Sequence, residues 1–173
     1  DVLADASIEL SYELEQLNIE VEQKTKELEN IAMYDLLTGL PNRNMLNYQI
    51  RKAILGLSQY NTSVAVLFLD LDDFKKVNDS HGHTEGDQLL IEAANRVKSS
   101  IRKVDIACRF GGDEFVVILG RIDGIDEAKK IADSILESFT RPIHLGSSLF
   151  YVSTSIGCLL YTSPSPRDRT RAR

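Results

Sequence analysis

The chain has 173 residues, 43% of them hydrophobic, which is ordinary for one globular domain with an appendage. Its formal net charge of −6 argues against a nucleic-acid partner bound through phosphates, and its longest apolar run, residues 64–69, is too short to span a bilayer. The two cysteines, Cys108 and Cys158, make no disulfide framework or zinc pattern, and no signal-peptide pattern opens the sequence, so we expect a cytoplasmic chain.

A heptad pattern runs through residues 1–33 and predicts a long helix. The seam positions, spaced alternately four and three apart, are Leu3, Ser7, Leu10, Leu14, Leu17, Val21, Lys24, Leu28 and Ile31. Glu13, Glu20 and Glu27 share one flanking position. The sustained repeat favours a parallel dimeric coiled coil, which Ser7 and Lys24 weaken. The alternative is a lone amphipathic helix packed on its own domain.

Residues 34–157 carry alternating helix and strand patterns and predict a globular domain. Gly39 and Pro41 end the first helix, and helical spacing then covers residues 43–59, 87–103 and 126–139. Strands are predicted at residues 64–69 and 149–156, with a β-hairpin between them at residues 106–119. Because the hairpin is antiparallel, the predicted fold class is α+β.

The turn of this hairpin holds two glycines followed by two carboxylates: Gly111, Gly112, Asp113 and Glu114. Glycine lets a bulky ligand lie against the backbone, whereas adjacent carboxylates at the tip add nothing to a hairpin's stability. The pattern favours a site for a hard divalent cation and a phosphate chain.

A second acidic group follows the strand at residues 64–69. Strand geometry sends Asp70 and Asp72 to one face and Leu71 to the other. If this strand pairs beside the hairpin, Asp70 and Asp113 come within reach of one ion. The alternative is a solvated acidic loop, which crowded like charges without a cation would destabilise.

Polar residues downstream suit a nucleotide. Lys75 could stabilise charge on a transferring phosphate, although it could also be an exposed surface lysine. Asn78 can donate and accept, and Asp87 can accept from both guanine donors, so the pair suits guanine over adenine. Asp87 could also serve as a helix N-terminal charge.

Four blocks in one order carry a family resemblance. They are DLLTGLPNR at residues 35–43, DLDDFKKVND at 70–79, GHTEGD at 82–87 and RFGGDEFV at 109–116. Over residues 34–157 the chain resembles the GGDEF domain of diguanylate cyclases. The resemblance implies a central, mostly antiparallel sheet flanked by helices, close to nucleotide-cyclase and polymerase-palm folds. It also implies Mg²⁺- or Mn²⁺-dependent condensation of two GTP into cyclic di-GMP, with release of two pyrophosphates, by a homodimer whose stalk follows a sensor domain.

The resemblance also implies roles for individual residues. Metal would be bound by Asp70, the Leu71 carbonyl, Asp113 and Glu114, with Glu114 as a ligand or as the group that takes the hydroxyl proton. Asp113, Glu114 and Lys75 would be catalytic. Substrate would be bound by Phe74, Lys75, Asn78, His83, Asp87, Gly111 and Gly112.

Arg102 and Asp105 match the family's inhibitory site, where the product cyclic di-GMP binds and restrains turnover. The alternative is a surface ion pair worth well under about 1 kcal/mol. The hypothesis is that Arg102 grips guanine or phosphate of the product.

The last segment, residues 158–173, does not continue the family's pattern. It holds four arginines and one aspartate and is expected to be a disordered, non-native tail in place of the domain's C-terminal part. That part would supply a lysine and an arginine that clamp the triphosphate. We therefore expect weak or no activity from this chain, rescued by a native C-terminus. Any membrane anchor of the parent protein would lie before this chain.

Two other functions stay open from the sequence. The domain could be a non-catalytic module that binds GTP or cyclic di-GMP, or a spacer behind a dimerisation stalk. The intact acidic pair in the hairpin favours the cyclase.

Overall fold

The structure, a computed structural model, describes residues 2–60, 62–146 and 148–162. Its elements are α1 (Val2–Met33), α2 (Arg43–Tyr60), β1 (Ser63–Leu71), α3 (Phe74–His81), α4 (His83–Ser100), β2 (Ile106–Gly111), β3 (Glu114–Ile122), α5 (Ile125–Phe139), β4 (Ile143–Leu145), β5 (Ser148–Phe150) and β6 (Thr154–Tyr161). Strands β2-β3-β1-β6 form one antiparallel sheet, and β4 and β5 form a second. The predicted α+β class, an antiparallel sheet flanked by helices, is confirmed.

Strand β1 is the centre of the core because both of its faces are buried. Its odd-numbered residues, such as Leu67 and Leu69, pack in one apolar cluster with residues of α4 and α5. Val64 and Val66 pack on the other side with residues of α2. Two residues further on this second side, Phe68 is 44% exposed. The α2 side of the sheet is therefore open at the end where β1 stops.

Helix α1 projects from the domain. Every side chain from Ser7 to Met33 is exposed, including the seam leucines Leu10, Leu14 and Leu17. Its base is tied down where the Asn42 and Asn44 side-chain amides both donate to the Ala32 carbonyl, at 3.0 and 3.1 Å. The predicted long helix is confirmed, and it does not pack along its own domain. Among the described residues, no helix is long and apolar enough to cross a lipid bilayer.

Several elements differ from the sequence prediction, in which β4 is also missing. Helix α3 was not predicted, and α4 begins at His83 rather than at residue 87 and ends at Ser100. The single strand predicted over residues 149–156 is wrong, because residues 151–153 separate β5 from β6. The alternating pattern of residues 150, 152 and 154 reflects burial and not one continuous strand. Phe150, Val152 and Thr154 are all buried, but β5 pairs with β4 whereas β6 pairs with β1.

The disordered tail predicted from residue 158 begins too early. Cys158 lies opposite Leu67, and Leu160 lies opposite Ala65, so both belong to the β1–β6 ladder. The apolar residues of this segment continue a strand whose backbone hydrogen bonds β1 satisfies. The rest of the predicted tail, residues 163–173, lies outside the described residues. Cys108 packs in the core as expected, and burial raises its pKa to about 12.

Candidate active site

The turn between β2 and β3 consists of Gly112 and Asp113. Gly112 has a φ of +50°, a left-handed conformation that glycine adopts without steric cost. A Cβ atom on Gly111 or Gly112 would meet nothing within 4 Å. The space beside the turn is therefore open to a ligand.

Carboxylates from two neighbouring strands meet beside this turn. Asp70 in β1 is the direct pairing partner of Glu114, the first residue of β3. Residues directly opposite each other in a sheet lie on the same face. The backbone N–H of Leu71 donates to the Asp113 carbonyl at 3.3 Å, which places the turn at the end of β1. The structure thus brings Asp70, Leu71, Asp113 and Glu114 together at one end of the sheet.

The electrostatics of this group favour a cation. Although Asp70 is exposed, slight desolvation raises its pKa, and the negative charges of Asp113 and Asp72 raise it further. A divalent ion would relieve this repulsion between carboxylates. Among the described residues, no three His, Cys, Asp or Glu side chains are arranged as a ready metal cluster. A few carboxylates with a main-chain carbonyl suit Mg²⁺, which takes its remaining ligands from water and substrate phosphates.

Asp72 has a different role from Asp70. Its carboxylate accepts hydrogen bonds from the hydroxyls of Ser153 at 2.6 Å and Ser155 at 2.8 Å. These two bonds hold the pKa of Asp72 below its usual value, against a smaller effect of burial. Asp72 therefore ties the end of β1 to the start of β6.

A cavity of about 540 Å³ opens beside the acidic group, on the side of the sheet that α2 leaves uncovered. Asp70 and Glu114 line it together with the aromatic rings of Phe68 and Phe110. Cavities of this size accommodate small-molecule ligands. The carboxylates thus border a space that is apolar on one side and acidic on the other.

Helices α3 and α4 place the predicted base-binding residues beside one another. Asn78 lies on α3 against Gly86 of α4, where any Cβ atom would overlap the Asn78 amide. This close approach explains why a glycine occupies the interior of α4. His83 and Asp87 lie on the same two turns of α4, and both are exposed. These positions put Asn78 and Asp87 on adjacent helices at the surface.

The chain enters α3 through a constrained turn. Asp73 has a φ of +61°, which is uncommon for a residue other than glycine. The turn buries the Phe74 ring in the core and leaves Lys75 exposed. The Phe74 ring is thus a core element, and only its backbone is available to a substrate.

An ion pair that the sequence did not reveal supports the hairpin. Arg109 donates from Nη1 to both carboxylate oxygens of Asp35 at 3.1 Å, and from Nε and Nη2 to the Gly112 carbonyl at 3.0 and 2.8 Å. Burial acts to raise the pKa of Asp35, but hydrogen bonds from Thr38 and the charge of Arg109 outweigh it and hold the pKa below its usual value. The only signal in the sequence is that Asp35 and Arg109 each open a motif block.

Arg102 and Asp105 lie away from the hairpin turn, in the loop between α4 and β2. The alternative of a weak surface pair does not hold, because the Asp105 side chain is fully buried. Arg102 donates to its two carboxylate oxygens from Nε at 2.8 Å and from Nη2 at 2.6 Å. The hydrogen bond to Asp105 is also the first cause that raises the pKa of Arg102.

Comparisons with known proteins all point to one family. The family model described as "Diguanylate cyclase, GGDEF domain" matches residues 32–171. Diguanylate cyclase TpbB of Pseudomonas aeruginosa is 37% identical over 150 residues, which cover 86% of this chain and 34% of the relative. Diguanylate cyclase DgcS of Shewanella oneidensis is 39% identical over 132 residues, covering 76% of this chain and 43% of the relative. The chain thus spans less than half of the length of either relative.

Solved structures agree with the fold. The GGDEF domain of TpbB from Pseudomonas aeruginosa superposes with a TM-score of 0.72 at 39% identity, covering 74% of this chain and 75% of that one. The coiled coil and GGDEF domain of DgcB from Caulobacter crescentus, in complex with c-di-GMP, gives a TM-score of 0.75 at 26% identity. That match covers 88% of this chain and 83% of the other.

Proposed function

The chain belongs to the GGDEF-domain family of diguanylate cyclases, and from this membership we propose that it condenses two GTP into cyclic di-GMP and releases two pyrophosphates. One observation supports the proposal above the others. Asp70 and Glu114 lie directly opposite each other, beside a glycine turn with open space around it. This arrangement suits phosphoryl transfer, in which catalysis is mostly positioning and charge stabilisation.

The carboxylates of Asp70, Asp113 and Glu114 and the Leu71 carbonyl would hold Mg²⁺ or Mn²⁺. Such an ion, when bound, supplies positive charge against the triphosphate and favours ionisation of the attacking 3′-hydroxyl. Glu114 either completes the ligand set or accepts the proton of that hydroxyl. Lys75, exposed just after the Asp73 turn, offers a cation to the phosphates.

Recognition of guanine is assigned to α3 and α4. Asn78 and Asp87 present a donor, an acceptor and a carboxylate that match O6, N1 and N2 of guanine. His83 lies one turn before Asp87 on α4 and borders the same surface. Adenine would leave these polar groups unpaired, which is the main source of discrimination in such sites. The glycines of the hairpin turn let the triphosphate approach the backbone.

Condensation needs two sites facing each other, and α1 offers the means to bring them together. Its seam leucines are exposed, so a second copy can bury them in a coiled coil. The flanking positions carry Glu13, Glu20 and Glu27 on one side and Ser11, Asn18 and Thr25 on the other. An antiparallel dimer would align glutamates with glutamates, whereas a parallel dimer aligns them with neutral residues. Parallel pairing places both domains at the same end of the stalk and makes their encounter effectively intramolecular.

Arg102 and Asp105 are proposed as the site where cyclic di-GMP restrains turnover. The buried Asp105 carboxylate fixes the guanidinium, and the Arg102 side chain remains 35% exposed. A fixed arginine of this kind binds phosphate or the acceptor edge of guanine.

Turnover and binding, measured on the same samples, test the proposed function. The chain is incubated with GTP and Mg²⁺, and cyclic di-GMP and pyrophosphate are quantified; GTP binding is followed by calorimetry. Asp70→Asn should reduce product formation by at least about 100-fold, as loss of a group that stabilises the transition state does. Asp133→Asn, an exposed aspartate on α5, is the matched control and should leave it unchanged.

The other outcomes identify the alternatives. Because we expect weak activity until a native C-terminal part is restored, binding of GTP without product would favour a non-catalytic module only if restoring that part also yields no product. Neither binding nor product in both versions would leave a spacer role, and equal, measurable turnover in wild type and Asp70→Asn would contradict the assigned site.

A further inference from the structure

Arg102 is held by more than one carboxylate. Besides its two bonds to Asp105, its Nη2 donates to the Gly120 carbonyl at 3.0 Å and its Nη1 donates to Oε1 of Glu127 at 2.5 Å. Glu127 lies in the first turn of α5, 25 positions along the chain from Arg102. All three side-chain nitrogens of Arg102 are therefore already engaged within the chain.

The two ion pairs of Arg102 differ in how easily they open. The Asp105 side chain is completely buried, so removing its partner would strand a charge away from water. The Glu127 side chain is 34% exposed and Arg102 is 35% exposed, so water can replace either partner. Partly exposed pairs contribute little to stability. The ion pair of Arg102 with Glu127 therefore opens more easily than its pair with Asp105.

Glu127 makes a second hydrogen bond, which keeps its side chain in place when the bond to Arg102 breaks. Its Oε2 accepts a hydrogen bond from the backbone N–H of Asp123 at 3.0 Å, just before α5 begins. This bond closes the start of α5 much as a capping box does. Release of Arg102 therefore leaves the helix start intact, and the rearrangement is confined to one side chain.

We propose that Glu127 is an internal competitor for Arg102, so that an anionic or guanine-bearing ligand has to displace its carboxylate before it binds. Nη1 is the one guanidinium nitrogen that neither Asp105 nor the Gly120 carbonyl holds, and the negative charge of Glu127 takes it up. A phosphate brought to this place also meets the Glu127 charge. The inference rests on the proposed product site at Arg102, and it makes Glu127 the residue that sets the affinity of that site.

Isothermal titration with cyclic di-GMP tests the inference in wild type and three variants. Glu127→Gln removes the charge but keeps an oxygen that can accept from Asp123, and should bind the dinucleotide about two- to fivefold more tightly. Arg102→Ala should lose the binding heat. Asp126→Asn, at the exposed neighbouring position in α5, removes one negative charge at a similar place in the chain and should leave Kd unchanged.

Each other outcome is decisive. Binding seen in Glu127→Gln and undetectable in wild type would support the competitor in its strongest form. Equal Kd values for wild type and Glu127→Gln would overturn it, as would the same gain in Asp126→Asn. A lower Tm with weaker binding in Glu127→Gln would mean that Glu127 only supports the fold. Absence of heat in all four proteins would remove the product site and the competitor together, whereas the GTP assay would still report on cyclase activity.

Discussion

Asp70 and Asp72 are two residues apart, yet their carboxyl groups have pKa values shifted in opposite directions. Slight desolvation and the neighbouring carboxylates raise the pKa of Asp70, whereas two serine hydroxyls lower the pKa of Asp72. A carboxylate whose charge is already stabilised by hydrogen bonds gains less from a cation than one that is repelled by its neighbours. At the scale of single residues, Asp70 is therefore the better candidate for a metal ligand, whereas Asp72 ties β1 to β6.

Asp72→Ala should lower the free energy of unfolding at pH 7 by about 0.5–1 kcal/mol, because it removes the acceptor of two exposed hydrogen bonds. The folded-state pKa of Asp72 lies below the ordinary value of 3.8, so its stabilisation is present above that pH. It is lost as the pH falls through the lower folded-state pKa. Urea unfolding of wild type and variant at pH 7 and at decreasing pH measures the difference, which should narrow in acid.

Asp79→Ala, at an exposed position on α3, is the control for this series. A loss of stability in Asp79→Ala as large as that in Asp72→Ala, or a difference that persists unchanged at low pH, would contradict the role assigned to Asp72.

At the scale of elements, local patterns predicted what local forces decide. The heptads of α1, the apolar run of β1 and the glycine turn of the hairpin all appear in the structure as expected. Helix α3 escaped prediction because it is short and mostly polar, with only Phe74 buried. The bonds from Ser153 and Ser155 to Asp72 join residues more than 80 positions apart, so no local pattern announces them. The break between β5 and β6 also depends on non-local pairing, because β5 pairs with β4 and β6 pairs with β1.

The ion pair of Asp35 with Arg109 joins the turn after α1 to the hairpin, and a double-mutant cycle tests it. Both side chains are mostly buried, at 22% and 13% exposure. Asp35→Asn and Arg109→Gln should each cost about 1–3 kcal/mol, because each leaves a charged partner poorly satisfied. The double variant should recover about 1 kcal/mol or more of the summed loss.

Acid provides an independent check of the same pair. The pKa of Asp35 is held below its usual value of 3.8, so the stabilisation is present above that pH and disappears as the pH falls through the folded-state pKa. Additive losses in the cycle, or a coupling that does not weaken in acid, would show that the two residues do not act together.

At the scale of the whole molecule, a continuous set of contacts runs from α1 to the hairpin of the candidate active site. The base of α1 is bound by Asn42 and Asn44, the following turn is organised by Asp35, and Arg109 carries the connection to the Gly112 carbonyl. A change in the geometry of paired stalks would reach the hairpin along these bonds. Dimerisation would therefore both bring two sites together and set how their hairpins face each other.

Two substitutions on opposite faces of α1 test the dimer. Leu17→Glu places charge in the seam and should shift the chain to monomer in sedimentation velocity, with a matching loss of cyclic di-GMP formation. Ile19→Glu introduces the same side chain on the opposite face of the helix and should leave the dimer intact. Dissociation by both variants, or by neither, would contradict the seam.

We propose that Asp70, Asp113 and Glu114 hold one divalent ion against which GTP binds, and paramagnetic broadening by Mn²⁺ tests this site most directly. Titration of Mn²⁺ with GTP into ¹⁵N-labelled protein should broaden the amide signals of Asp70, Leu71, Gly112 and Glu114 first. The signals of residues around Arg102 should stay sharp, and Asp70→Asn should abolish the effect. Broadening centred elsewhere, or unchanged in Asp70→Asn, would contradict the site.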